Sequence, residues 1–413
     1  MYKKITAVLL FFFISISSSF AGGFQINEHG ARAMGMAGAF AGLADDPSAL
    51  YFNPAGITQL SGTHIMAGVT FIVPTTTFRG PSPQITEYKM QAQIFTPINF
   101  YVTHQLTNDL FVGLGINNQY GLGTLWDDSW IGNQVAINTQ IRTFYFTPVV
   151  AYKVTDNLSV SAGPVFAWGD VKIERDVSLS PFNGLAKVSL SGNGTAWGYT
   201  AGILYKPFKE LQLGLSFRSQ TKFKLTGSAS SDGPASFAAK LPSGDITADL
   251  TMPANLTFGV AVFPFKDFTV TADFQWIGWS SYDKLAVDFA NPNISDITSI
   301  KNYNDTYIAR LGAEYKFNSD FTFRGGILFD HNPVPDERVD PLLPDADRWG
   351  FNLGLSYKIT KNLSVDLAYF FLRFSERTIT NSVVYYTTGN APLNGTYNSY
   401  AHLIGIDLSY NFN

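Results

Sequence analysis

Over long stretches of this chain apolar and polar residues alternate one for one. Near the C-terminus Ile404, Ile406, Leu408, Tyr410 and Phe412 alternate with Gly405, Asp407, Ser409 and Asn411. Trp349, Phe351, Leu353, Leu355 and Tyr357 alternate with Gly350, Asn352, Gly354, Ser356 and Lys358. Leu211, Leu213, Leu215 and Phe217 do the same with Gln212, Gly214, Ser216 and Arg218. A period of two marks β-strands with one greasy and one polar face. In a soluble sandwich the greasy face would form the core. Here it recurs in almost every strand and often ends in aromatics, which suits a lipid-facing exterior around a lumen of small and polar residues.

Tight turns rich in Asn, Asp and Pro separate these strands at Leu106–Asp109, Thr155–Asn157, Pro207–Glu210, Pro264–Asp267, Asn318–Asp320 and Thr360–Asn362. Their spacing leaves room for two strands and one longer loop each. Six short turns, with both termini on the same side, predict seven hairpins and so fourteen strands. An even count with short turns on one side and long loops on the other is the outer-membrane pattern. Closure also removes the edges that so many strands would expose. The predicted fold is an all-β membrane protein, a 14-stranded antiparallel outer-membrane β-barrel over residues 63–413. One departure is the end of the chain, where the aromatic Phe412 is followed by Asn413.

Residues 22–62 do not alternate. They are dense in Ala, Gly and Met, and then read Asp45-Asp46-Pro47-Ser48-Ala49-Leu50-Tyr51-Phe52-Asn53-Pro54-Ala55-Gly56-Ile57. Asp45 or Asp46 can cap a short helix with Pro47 in its first turn, and Asn53-Pro54 breaks it. A compact, helical, small-residue segment ahead of a barrel fits inside it as a plug; a periplasmic tail would be more polar. Before it, Lys3 and Lys4, the apolar run Ile5–Ile16, and Ser17-Ser18-Ser19-Phe20-Ala21 read as a signal peptide over residues 1–21, with cleavage expected after Ala21.

Composition narrows the function. Only 15% of the 413 residues are charged while 15% are aromatic, against about 25% charged in soluble domains. Past residue 20 no run approaches the roughly 18 apolar residues of a membrane helix. Zero Cys excludes a disulfide scaffold and thiol chemistry. A formal charge of -4 argues against a nucleic-acid partner. His29, His64, His104, His331 and His402 are scattered, with no metal-ligand spacing. No phosphate loop or dinucleotide fingerprint is present. No enzyme, metal or cofactor is expected.

Parity locates candidate binding residues. In the fifth strand Val171, Ile173 and Arg175 share the inner face. A bilayer takes about 9–11 tilted residues, so all three lie beyond it on the extracellular side. In the thirteenth strand Phe370, Leu372 and Phe374 follow Ser364, Asp366 and Ala368 on the inner face. The lumen wall therefore becomes more apolar outwards, as a hydrophobic ligand needs. Arg218, Arg310, Glu314, Arg324, Asp366 and Asp407 form a second inward set, mostly nearer the periplasm. They are expected to bond hatch backbone and Asn53, or to pair among themselves. Gly113, Gly115, Gly121 and Gly123 in the third strand point to a bulge or bend.

At this point the sequence resembles the FadL family of outer-membrane transporters for long-chain fatty acids and other hydrophobic compounds. The match begins with the Gly-Phe-Gln opening and with Asn53-Pro54-Ala55. It continues through Tyr120-Gly121-Leu122, Lys172-Ile173-Glu174-Arg175, Trp197-Gly198, Ala201–Tyr205, Phe217-Arg218-Ser219 and Trp276–Ser280. It then runs from Phe323-Arg324 through Pro333-Val334-Pro335 to Leu343–Arg348. Single motifs are weak, but their order over the whole mature chain is specific. The resemblance implies a carboxylate-binding role for Arg175 and a basic partner at Lys301, just before the tenth strand. It also implies hatch gating by Asn53, Pro54 and Ala55, and an inward kink at Gly121 that opens the wall sideways.

Passive, hatch-gated uptake of a hydrophobic small molecule into a bacterium follows, most readily of a long-chain fatty acid. The alternatives are an aromatic hydrocarbon or alkane channel of the same family, a general diffusion porin, or a surface adhesion protein. The ligand, outer-membrane lipid and lipopolysaccharide are the expected partners of a monomer.

Overall fold

The computed structural model describes residues 22–179, 184–385 and 391–412; the expected signal peptide lies outside them. Within them 21 strand segments join into one sheet, and continuations of the same stave reduce these to fourteen barrel strands. In chain order they are β1 (Thr63–Arg79), β2 (Glu87–Lys89 and Ile98–Gln105), β3 (Leu110–Asn117 and Gly121–Leu125), β4 (Asn138–Thr155), β5 (Leu158–Ser178), β6 (Leu185–Phe208) and β7 (Leu211–Arg218 and Thr221–Asp232). Then follow β8 (Gly244–Met252 and Asn255–Phe265), β9 (Phe268–Ile277 and Lys284–Phe289), β10 (Ile297–Ile300 and Thr306–Lys316), β11 (Phe321–Asp330), β12 (Arg348–Lys358), β13 (Leu363–Phe374 and Arg377–Ile379) and β14 (Gly395–Asn411). Each pairs antiparallel with its neighbour, and β1 pairs with β14 from His64–Asn411 to Arg79–Thr396, closing the barrel.

All six turns fall where Asn, Asp, Thr or Pro allow them. Asn318 Oδ1 accepts from the N–H groups of Asp320 (2.9 Å) and Phe321 (2.8 Å). Asp267 turns at φ 66, a left-handed conformation that Asp tolerates. Outward positions such as Phe351, Leu353, Ile404 and Leu408 are exposed, whereas Asn352, Asp366 and Asp407 between them are buried. The greasy face is therefore on the outside.

Residues 22–62 fill the lumen. Two short helices, Ala31–Gly35 and Ala49–Phe52, and a 3-10 turn, Pro54–Gln59, carry few internal hydrogen bonds. The second helix is capped at Ser48 and not at Asp45 or Asp46; Asp46 Oδ1 accepts the Ser48 N–H at 2.8 Å in the turn before it. Phe40, Leu43, Leu50, Tyr51 and Ile57 pack against Met66, Tyr101, Phe111 and Val149 of the wall. The close fit depends on inward glycines: a Cβ on Gly259 would meet Gly42 N at 2.4 Å, and one on Gly214 would meet Ala41 O at 1.9 Å.

Candidate ligand pathway

Wall side chains hold the hatch through its backbone. Asp273 accepts N–H groups from Phe40 (2.9 Å) and Ala41 (2.8 Å), Asp407 accepts from Ala31, and Asn352 Nδ2 donates to Met34 O at 2.7 Å. A charged chain joins hatch to wall lower down. Arg32 Nε lies 3.0 Å from Glu314 Oε2, Arg324 Nε lies 2.7 Å from the same oxygen, and Arg324 Nη1 lies 3.1 Å from Asp366 Oδ1. Glu314, Arg324, Asp366 and Asp407 thus serve the hatch through hydrogen bonds and ion pairs, directly or through a shared partner.

The two remaining arginines behave differently. Arg218 lies 4.0 Å over the Tyr51 ring and donates to Gln119 Oε1 at 2.9 Å. Arg310 stands across from Asp273 in the ladder and beside Gly38 of the hatch. Neither meets Asn53. The Asn53 amide donates to Ala41 O (2.9 Å) and Ile203 O (3.0 Å), while its oxygen accepts from Ala55 N (3.3 Å). A wall carbonyl, not an arginine, is its partner, because Gly202 lets Asn53 approach the β6 backbone. Pro54 and Ala55 are buried in the turn that follows.

The wall is interrupted at β3. Its ladder with β2 ends at Asn99–Asn117, and Asn118 leaves it, accepting from Ile98 N (2.7 Å) and donating to Thr143 O (2.6 Å). The hatch fills in: Gln25 bridges Tyr120, Ile26 N donates to Gln119 O (2.9 Å), and Gly121 N donates to Phe24 O (3.1 Å). A Cβ on Gly121 would lie 2.7 Å from Ile26 Cδ1, and one on Gly123 only 1.9 Å from the Phe95 ring. Beyond this break the second segment of β3 pairs with β4.

Two cavities lie above the hatch. One of about 600 Å³ is lined by Ile26, Phe95, Gly121, Leu328, Phe370, Leu372, Phe374 and Leu403, and reaches the outward side chains Arg142 and Phe144 at the β3 break. A smaller one of about 80 Å³ is lined by Val171, Ile173, Leu225, Ile246, Leu250, Val287, Lys301 and Tyr303. The candidate binding residues are divided: Val171 and Ile173 line the smaller cavity, and Phe370, Leu372 and Phe374 the larger. Phe24 lines both cavities and packs edge-on against Trp279 at 4.7 Å and Tyr282 at 5.9 Å, so the N-terminal aromatic stands between them.

The expected cations also part company. Lys301 follows the first segment of β10 instead of preceding the strand, and its Nζ lies 2.7 Å from Asp340 Oδ2. Burial works to lower its pKa, but the Asp340 carboxylate outweighs this and holds it above the ordinary lysine value. Arg175 lies two residues beyond Ile173 on the inner face, opposite buried Val188, and lines neither cavity itself. Among the described residues no charged or hydrogen-bonding group faces it. Asp273 and Asp340 were not singled out from sequence, and Phe24 and Trp279 entered only as parts of motifs. Inward parity would have marked Asp273; the others act through distant contacts.

The comparisons with known proteins agree with this architecture. Residues 13–412 match the family described as outer membrane protein transport protein (OMPP1/FadL/TodX). The chain belongs to this family. Its place is the bacterial outer membrane, and its work is to pass hydrophobic compounds across it. A long-chain fatty acid transport protein of Escherichia coli (strain K12) is 28% identical over 395 residues, covering 85% of this chain and 87% of that one. The crystal structure of a Pseudomonas aeruginosa FadL homologue superposes with a TM-score of 0.87 at 21% identity, covering 95% and 100%. The Ralstonia pickettii toluene transporter TbuX superposes with a TM-score of 0.72 at 20% identity, covering 94% and 100%.

Proposed function

We propose that the protein takes up long-chain fatty acids by passive diffusion. Arg175 carries this reading: a half-buried cation with no counter-ion among the described residues stands past the end of an apolar cavity. Such a group suits an anionic head, since Arg offers a fork of donors and stays charged. The apolar linings below suit the tail. Lys301, already neutralised by Asp340, contributes wall rather than recognition. Val171 and Ile173 contact the ligand first, and Phe370, Leu372 and Phe374 contact it in the larger cavity. Release follows movement of the hatch at Asn53, Pro54 and Ala55, or passage sideways at Gly121. No catalytic step, cofactor or energy source takes part.

One barrel contains the whole path, so the working unit is a monomer. The outward pairs Arg142–Asp170 (2.6 Å) and Lys172–Glu174 (2.8 Å) stand just above the contact between Phe144 and Trp168, at the level where lipopolysaccharide headgroups begin. Lipid analysis of the protein purified from its own membrane tests the cargo. Long-chain fatty acids should co-purify with it; uncharged hydrocarbons in their place would favour the monoaromatic or alkane reading.

A further inference from the structure

The break in the wall at β3 has a cation on its outer rim. β3 leaves the ladder with β4 after Asn117, opposite Tyr145, and rejoins it at Gly121, opposite Arg142. The gap therefore lies beside Thr143 and Phe144. Thr143 is buried towards the lumen, whereas Phe144 and Arg142 point outward. Tyr152 and Arg142 stand ten residues apart on the outward face of β4. About 9–11 tilted residues cross a bilayer, so the Arg142 guanidinium lies at the outer interface. The larger cavity runs out through this gap, lined there by Ile94, Ile98, Phe144 and Arg142, with Ile94 and Ile98 exposed on the outside. The mouth is apolar towards the membrane and cationic at its upper edge.

Arg142 is positioned without being covered. Its Nε and Nη2 donate to Asp170 at 2.9 Å and 2.6 Å, yet its side chain stays 70% exposed, against 20% for Asp170. Among the described residues Nη1 makes no hydrogen bond. The arginine inside the same cavity differs: Arg348 is buried, and Asp330 holds it at 2.6 Å. Glu28 and Asp345 line that inner end too. A carboxylate in the cavity thus meets acids within and an accessible guanidinium at the mouth. We propose that Arg142 is a specificity residue of the gap: it receives the head of a single-chain anionic amphiphile, while the tail slides past Ile94, Ile98 and Phe144 into the outer leaflet. This rests on the fatty-acid uptake proposed for the protein, and adds a head contact on the opposite face of the wall from Arg175. A bare carboxylate is costly in an apolar mouth, and the fork of Arg donors meets it. An exposed pair is weak, so the head passes on to the interface. An uncharged ligand has no use for the contact.

The test uses the full-length protein in outer-membrane vesicles and two photoreactive probes, a long-chain fatty acid and the alcohol of equal length, each with a diazirine beside its head group. Mass analysis of the labelled peptides separates lumen from mouth. The acid should label the lumen and also the mouth, at residues 94–98 and 142–144. The alcohol should label the mouth about fivefold less, the upper end for an exposed ion pair. Arg142→Gln should bring the acid down to the level of the alcohol there, with lumen labelling unchanged, and Arg142→Lys, which keeps a cation, should restore it. Lumen labelling without mouth labelling, equal mouth labelling by both probes, or unchanged labelling in Arg142→Gln overturns the proposal and leaves fatty-acid uptake standing. An acid that labels nothing in the lumen overturns both.

Discussion

Gly354 of the wall and Gly35 of the hatch pass backbone against backbone: a Cβ on Gly354 would lie 2.9 Å from the Gly35 Cα. The hatch is thus seated by the absence of side chains as much as by bonds. Gly354→Leu should unseat it, since overpacking of this kind costs about 1–3 kcal/mol. Its side chain would point into the lumen, so the lipid-facing surface is untouched. Hydrogen exchange should rise across residues 22–62 while the barrel still resists unfolding in unheated gels. Unchanged exchange would mean that the wall yields instead.

Asp273 tests the polar side of the same contact. It accepts two hatch N–H groups, from Phe40 and Ala41. Asp273→Ala leaves both without an acceptor, at about 1.5–3 kcal/mol for each hydrogen bond to a charged group. Amides at Phe40 and Ala41 should exchange faster and uptake should change, with ligand binding above the hatch near normal. Parallel changes in binding and uptake would speak against a gating role.

Lys301 lines the smaller cavity and is paired with Asp340. Asp340→Asn should cost stability, because an unpaired buried charge is penalised by about 3–5 kcal/mol. It should also tighten fatty-acid binding about tenfold, one charged hydrogen bond. Equilibrium binding of a fatty acid beside the alcohol of equal length reads this out. Equal affinities before and after the change would place Lys301 outside the path.

Much of the fold was legible because period two is a local signal. The six turns, the fourteen strands and the inward register of Asp366 and Asp407 follow from neighbours one or two residues apart. Parity, however, states which way a side chain points and not what it meets. Lys301 finds Asp340, 39 residues away, and Phe24 finds Trp279 from the far end of the chain. Such pairings arise only when the barrel closes, so the division of the lumen into two cavities left no local trace. Inward glycines at Gly214, Gly259, Gly312, Gly326 and Gly354 form a row whose meaning, close approach of the hatch, shows only in the structure.

His331 gives the loop between β11 and β12 a pH dependence. Burial lowers its pKa to about 4, below the ordinary value near 6.5. A depressed histidine stabilises the closed loop above about pH 6.5 and loses that contribution as pH falls towards 4. Hydrogen exchange of residues 331–347 should therefore increase between pH 7 and pH 5. His331→Phe should flatten this rise; the same profile in the variant would assign the effect to another group.

The most direct measurement compares equilibrium binding of a long-chain fatty acid and of the corresponding alcohol to the native protein and to Arg175→Ala. The carboxylate should lose about 1.5–3 kcal/mol, the scale of a charged hydrogen bond, and the alcohol should bind as before. Equal losses for both ligands, or none for either, would contradict a pathway that reads an anionic head at Arg175.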